Sequence, residues 1–247
     1  MAALPPPTLL FLVRHGTTPT TGAVLPGRAR GLHLSEAGKA QAALVGERLK
    51  SWTQLATEGD GKAPAPADKR TQPGKPTGRA RKANGTRRPP IGGVYASPLE
   101  RTRETAAEIA SALGISVRTE RGLLECDFGD WTGGSLKDLS KKPEWSTVQR
   151  YPSGFRFPGG ESFSEMQTRV VQALHRISTQ HPGEAVVAVS HADPIKAAVA
   201  DAMGTHLDLF QRIVISPCSV TAIAYGPLGP TVLAVNSTGS LGELVPS

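Results

Sequence analysis

The sequence predicts an α/β protein with a largely parallel central sheet, and two observations carry that reading. Two apolar runs, residues 9–13 and 185–189, proceed without a polar break, as strands buried on both faces do. Segments with apolar residues at helical spacing alternate with such strands along the chain, which is the pattern of parallel strands joined by helices. The chain of 247 residues has no internal repeat and is long enough for one large α/β domain.

Taken in order, the first strand runs directly into Arg14, His15 and Gly16. Open α/β sheets place ligands at the carboxyl ends of their strands, so this arginine and histidine are candidates for chemistry. Thr17 opens a loop of small hydroxyl residues that suits a phosphate, since it offers hydrogen bonds without bulk. The first helix is expected to start from Ser35 as its N-cap, to carry Ala37, Gln41, Leu44, Val45 and Leu49, and to end near Trp52. Residues 93–96 read as a short strand. After it, Ser97 as cap, Pro98 at the first helical position and Glu100 closing a capping box predict a helix. Leu99, Thr102, Ala106, Ile109 and Leu113 mark its buried face, and Arg101 in its first turn can point at whatever His15 faces.

Residues 115–118 read as a strand, and residues 122–131 as a loop with three carboxylates, Glu125, Asp127 and Asp130, among apolar neighbours. Ser162 and Glu165 form a second capping box, ahead of a helix to about Gln180 that buries Phe163, Met166, Val170, Leu174 and Ile177. The second apolar strand ends at His191, and Asp193 and Pro194 restart a helix. Strands at 213–216, 219–225 and 231–236 finish the sheet, the last two as a hairpin around Gly226 and Pro227.

The net charge of +7 belongs almost entirely to one segment. Between Glu58 and Pro90 there are nine basic and three acidic residues, a net +6, which leaves the remainder near neutral. This insertion, at about 56–90, is rich in Pro, Gly, Lys and Arg. It cannot bury enough apolar surface to offset the entropy of ordering it, so it is expected to be disordered or a loose surface loop. It lacks the aromatic side chains on which single-stranded nucleic acid stacks. Nucleic acid is therefore not the expected partner, although a basic segment of this kind leaves it open. The two cysteines, Cys126 and Cys218, make neither a metal-type cluster nor a disulfide framework. With no signal-like amino terminus and no apolar stretch of spanning length, a soluble cytoplasmic protein without a membrane partner is expected.

Two histidines that each follow a buried strand, with arginines at a strand end and a helix start, make one constellation. Guanidinium groups are permanently positive and match phosphate oxygens in fork geometry. A histidine among such charges stays neutral, and a neutral imidazole is a nucleophile. The chemistry this favours is phosphoryl transfer to a histidine.

Five ordered segments, LVRHGTT, ASPLERTRETA, LLECDFGDWTGG, GGESFSEMQTRV and AVSHAD, resemble the histidine phosphatase superfamily of phosphoglycerate mutase-like proteins. The resemblance covers nearly the whole chain except the basic insertion. It implies a single domain over 1–247, folded as a three-layer sandwich with helices on both sides of the sheet. It implies that His15 is the nucleophile that becomes phosphohistidine and that Arg14, Arg101 and His191 form the phosphate pocket. Glu125 is then the proton donor to the leaving oxygen, with Asp127 as the alternative. Thr17 occupies a position often filled by Glu or Gln in the family, and SHAD stands where SHG is commoner. Members use no metal, no cofactor is expected for this chain, and its six histidines form no ligand-spaced cluster.

The opening RHGTTPTTG lacks the tryptophan and asparagine of the glycolytic mutases, which favours phosphomonoester hydrolysis on a small phosphorylated metabolite. The alternatives are a phosphomutase of the phosphoglycerate mutase type and a non-catalytic module that binds anions or RNA through the basic insertion. Trp131, Tyr151, Phe155 and Phe157 are candidates for the pocket entrance, against the commoner role of aromatics as packing residues.

Overall fold

The alternation of apolar strands and amphipathic helices resolves, in the computed structural model, into one six-stranded sheet between two helical layers. Residues 4–57 and 88–241 are described. In chain order the elements are β1 (Thr8–Arg14), α1 (Glu36–Thr57), β2 (Ile91–Ala96), α2 (Glu100–Leu113), β3 (Val117–Thr119), α3 (Leu136–Leu139), α4 (Trp145–Arg150), α5 (Phe163–Gln180), β4 (Ala185–Ser190), α6 (Ala192–Ala202), β5 (Val220–Gly226) and β6 (Gly229–Ser237). The strand order is β3-β2-β4-β1-β5-β6. The pairs from β3 to β1 are parallel, and β5 and β6 add an antiparallel hairpin at one edge.

The apolar run of β1 is explained by its central place, with β4 on one side and β5 on the other. Its side chains alternate between two cores. Leu10 and Leu12 join Val186, Ile223 and the α5 residues Met166, Val170 and Leu174. Leu9, Phe11 and Val13 join Val187, Ala222 and residues of α1 and α2 on the opposite face. Each such fully buried side chain contributes about 1.5–3 kcal/mol, and the ring of Trp52 stands edge-on to Phe11 at 4.9 Å.

Ser35 does cap α1, accepting the Gly38 N–H at 3.1 Å, but the buried stripe differs from the expected one. It is Ala42, Val45, Leu49 and Trp52, whereas Leu44 is 64% exposed. The stripe follows alternating steps of four and three residues, and Leu44 falls about 100° off it. The helix also continues past Trp52 to Thr57.

The predicted capping box at the start of α2 is absent. Leu99 is the N-cap, without a side-chain hydrogen bond, because the Ser97 hydroxyl is engaged elsewhere. The box at Ser162 and Glu165 does form, with both reciprocal hydrogen bonds in place. Residues 213–216 are not a strand; they form the connection between a 3-10 turn (Leu207–Arg212) and β5.

The basic insertion lies outside the described residues from 58 to 87. Its attachment is informative nonetheless. β2 begins at Ile91, level with Ala185 at the amino end of β4. α1 starts at the sheet's carboxyl edge, where Ser35 N–H donates to Thr17 O at 2.9 Å, and runs away from it. Both flanks of the insertion therefore leave the fold at the amino edge, roughly 17 Å from the carboxyl edge at about 3.3 Å per strand residue. Among the described residues no helix is long and apolar enough to cross a membrane.

Candidate active site

The site forms where β1, β2 and β4 end together. Arg14 is in register with Ser190, and the His15 N–H donates to Ser190 O at 3.0 Å. The chain leaves both strands side by side, which sets the rings of His15 and His191 5.2 Å apart. Ser97, just beyond β2, donates its N–H to Val189 O at 3.0 Å. The first turn of α2 supplies Arg101, and His191 is the N-cap residue of α6. The backbone of α1 packs so closely on the turn after His15 that glycine is required there, since a Cβ on Gly16 would sit 2.5 Å from Gly38 O.

His15 is buried, and its Nδ1 lies 2.7 Å from Gly16 O. A carbonyl only accepts, so Nδ1 carries the proton and Nε2 presents its lone pair. The Arg101 Nε–H points at that lone pair from 3.3 Å. Burial, followed by the charges of Arg101 and Arg14, holds the His15 imidazole down at about 3, so it is neutral. His191 is likewise held well below its ordinary value, first by burial and then by Arg101.

Arg101 is fully buried, with Nη2 donating to Gly27 O at 2.7 Å. Arg14 donates through Nη1 to Ile215 O at 2.7 Å. Burial lowers both guanidinium values, but from so high a start that both remain charged. Arg101 Nη1 and Arg14 Nε are buried without a protein partner. Buried N–H donors left unmatched are costly, and an anion between them relieves that cost.

Glu125 is buried as well, with Oε1 accepting the Cys126 N–H at 3.0 Å. Burial and then the Asp193 charge push its carboxyl up to about 7, against the opposing pull of Arg101. Its Oε2 is 4.0 Å from His191 Nδ1, too far for a hydrogen bond, and with His191 neutral the two are not an ion pair. The remaining His191 nitrogen, Nε2, hydrogen-bonds the Ser97 Oγ at 2.9 Å, which is why Ser97 does not cap α2.

The structure thus brings His15, His191, Arg14, Arg101 and Glu125 together, and sets Thr17 apart. The Thr17 hydroxyl is 3.1 Å from Ser35 Oγ and its N–H donates to Gln41. It ties the loop to α1, while Thr18 lines the cavity. Asp127 is turned to other partners, pairing with Arg28 at 3.3 Å and accepting the Gly129 N–H. Trp131, Phe155 and Phe157 are packing residues of the α5 core, and Tyr151 is exposed.

Four residues escaped the sequence reading. Ser97 was hidden by its resemblance to a helix cap. Arg28, Glu161 and Arg169 form a cradle under Glu125: Arg28 Nε–H donates to Glu125 O at 2.9 Å, Arg169 Nη1 donates to Leu124 O at 3.0 Å, and Glu161 accepts from both arginines. Nothing local in the sequence pairs positions so far apart. A cavity of about 390 Å³ opens from His15, Arg14 and Glu125. Among the described residues no three His, Cys, Asp or Glu side chains gather in a way that could hold a metal ion.

The chain is similar in sequence and in fold to known proteins. The sequence model of the histidine phosphatase superfamily (branch 1) matches residues 10–56 and 79–238. Phosphoserine phosphatase 1 of Hydrogenobacter thermophilus is 31% identical over 160 residues, which cover 61% of this chain and 72% of that protein. A bifunctional protein of Mycobacterium tuberculosis is 33% identical over 157 residues, 63% of this chain but only 43% of its own length. Among solved structures, mycobacterial glucosyl-3-phosphoglycerate phosphatase superposes with a TM-score of 0.70 at 19% identity, covering 94% of this chain and 100% of that one. At that identity the likeness is one of fold.

Proposed function

The chain belongs to the histidine phosphatase superfamily, branch 1, and from that premise we propose that it hydrolyses phosphate monoesters of small metabolites through a phosphohistidine on His15. Similar proteins are named phosphatases. The observation that carries the reading is a neutral imidazole whose Nε2 lone pair meets only the long Arg101 contact, beside two guanidinium groups that each keep a buried, unmatched N–H.

The phosphoryl group binds between Arg14 and Arg101, displacing the long Arg101–His15 contact. His15 Nε2 attacks phosphorus, the P–O ester bond breaks, and protonated Glu125 delivers its proton to the departing oxygen. The guanidinium groups stabilise the charge on the transferring oxygens. Glu125, now a carboxylate, accepts a proton from water as that water attacks the phosphohistidine. This returns His15 and releases inorganic phosphate. The Ser97 hydroxyl donates to His191 Nε2, which leaves the proton on Nδ1 to bond a phosphoryl oxygen. Two free, buried thiols, Cys126 and Cys218, suit a reducing cytoplasmic setting.

Rapid quenching at alkaline pH tests the mechanism. It should trap an acid-labile phosphoenzyme that His15→Ala abolishes together with turnover. An unchanged rate in His15→Ala would refute it.

A further inference from the structure

Beyond the phosphate pocket, the cavity holds the alcohol that leaves. Its walls are unequal in chemistry. Its apolar lining includes Val24, Leu25 and Ile213. Its polar lining includes Asp193, Lys196 and Gln211. Among the described residues lining the cavity, the cations are Arg14, committed to the phosphate, and Lys196.

Lys196 is already engaged. Its Nζ donates to Asp193 Oδ1 at 3.2 Å and to Gln211 Oε1 at 3.1 Å, and it sits 5.8 Å from the centre of the Phe210 ring. A carboxylate and an amide oxygen take two of the ammonium's three N–H bonds, and the Phe210 ring face lies within cation–π range. The Asp193–Lys196 pair is mostly buried, with side-chain exposures of 18% and 16%, so it is held in place rather than free to swing toward a ligand. Asp193 also turns negative potential on the cavity, as its effect on Glu125 shows.

Resting on the phosphatase reading, we propose that the leaving group is an uncharged alcohol with an apolar body. That body lies against the wall of Val24, Leu25 and Ile213, and its polar groups meet Asp193 Oδ2 and the Gln211 amide N–H bonds. Esters with a second anionic group, whether carboxylate or phosphate, are selected against. Such a group enters a partly desolvated space whose lining cations are already engaged and which the Asp193 carboxylate also lines. Buried charge without a partner is strongly disfavoured, and specificity built on repulsion is as effective as specificity built on contact.

The test compares benzyl phosphate with para-carboxybenzyl phosphate, which share their reacting atoms and differ by one carboxylate. Phosphoglycerate extends the anionic side. The full chain should favour benzyl phosphate in kcat/KM by about tenfold or more, the order expected for an uncompensated charge at a partly open site. Asp193→Asn removes the repelling charge and releases a Lys196 proton, so the ratio should shrink several-fold. Any effect of that substitution on Glu125 cancels in the ratio, since both esters use the same chemistry. Equal kcat/KM for the two esters, a preference for the anionic one, or an unchanged ratio in Asp193→Asn overturns the inference while leaving phosphohistidine chemistry intact. Failure to turn over every ester, with no phosphoenzyme trapped, overturns the phosphatase reading and this inference with it.

Discussion

Glu125→Gln separates a proton donor from a structural carboxyl, because its effect depends on what leaves. At pH 7 a carboxyl near 7 is about half protonated, against roughly 0.3% for one at the ordinary 4.5. Burial and Asp193 thus enrich the acid form on the order of 150-fold at neutral pH. Glutamine keeps the size and the acceptor for the Cys126 N–H but has no acidic proton. An alkyl ester must then expel an alkoxide, so kcat should fall by about 10²–10⁴-fold with KM little changed. An aryl ester such as p-nitrophenyl phosphate leaves as a stable anion and should lose less than about tenfold. The assay is paired initial rates, phosphate release for the alkyl ester and absorbance for the aryl one, from pH 5.5 to about 8.5. The parent's alkyl rate should decline as pH rises through about 7, where Glu125 ionises, and the variant should lack that limb. Equal losses on both esters would refute the acid role, and the differential pattern in Asp127→Asn would move it to Asp127.

Stability should depend on pH through the same site. The folded value of His15 lies near 3, below the ordinary 6.5, so its contribution is present above about 6.5 and is lost as pH falls toward 3. His191 acts in the same direction, and Glu125, raised to about 7, acts in the opposite one over part of that range. The melting temperature of His15→Gln should fall less than the parent's between pH 6.5 and about 4, and parallel curves would contradict the burial argument. Replacing residues 59–87 with a short Gly-Ser linker should leave turnover on a small ester within about twofold, because closure entropy changes slowly with length and both flanks leave the sheet edge opposite the site. A large loss would show that the segment reaches the pocket. Activity should survive EDTA, since arginines supply the charge that a metal supplies elsewhere. Loss restored by a divalent ion would overturn that.

What the sequence made legible is what local physics dictates. The 9–13 and 185–189 runs could be read because a strand covered on both faces has no polar position to break the run. The residue after each such strand then falls at the sheet edge, which is how His15 and His191 stood out. The capping box before α5 could be read because both of its hydrogen bonds close within four residues. Ser97 met the same local pattern and misled, because its hydroxyl answers to His191, 94 residues away. Thr17 and Thr18 look interchangeable on paper. Which of them faces the cavity is decided by Ser35 and Gln41, which take Thr17 toward α1.

The misread strand at 213–216 has a physical reason that bears on function. Three branched apolar residues, Ile213, Val214 and Ile215, have the composition of a buried strand, but β5 is flanked by β1 and β6, so no sheet edge is open to them beside it. They line the cavity instead, and Val214 is 66% exposed. Arg14 takes Ile215 O as an acceptor, and Ser216 donates its N–H to Asn236 Oδ1, so the backbone polar groups that a ladder would have matched are satisfied locally. Leaving large apolar side chains in water is unfavourable at roughly 25 cal/mol per Å², and that cost is recovered when an apolar alcohol covers them. An exposed Val214 and a partly buried Ile213, in a segment that reads as strand beside a phosphate pocket, are thus an argument about the ligand. Ile213→Asn should accordingly raise KM for benzyl phosphate several-fold. It should leave KM for a small alkyl ester such as ethyl phosphate nearly unchanged, because a short leaving group does not reach that wall. Equal KM increases for both esters would show that the substitution disturbs the pocket as a whole and that the wall does not read the alcohol.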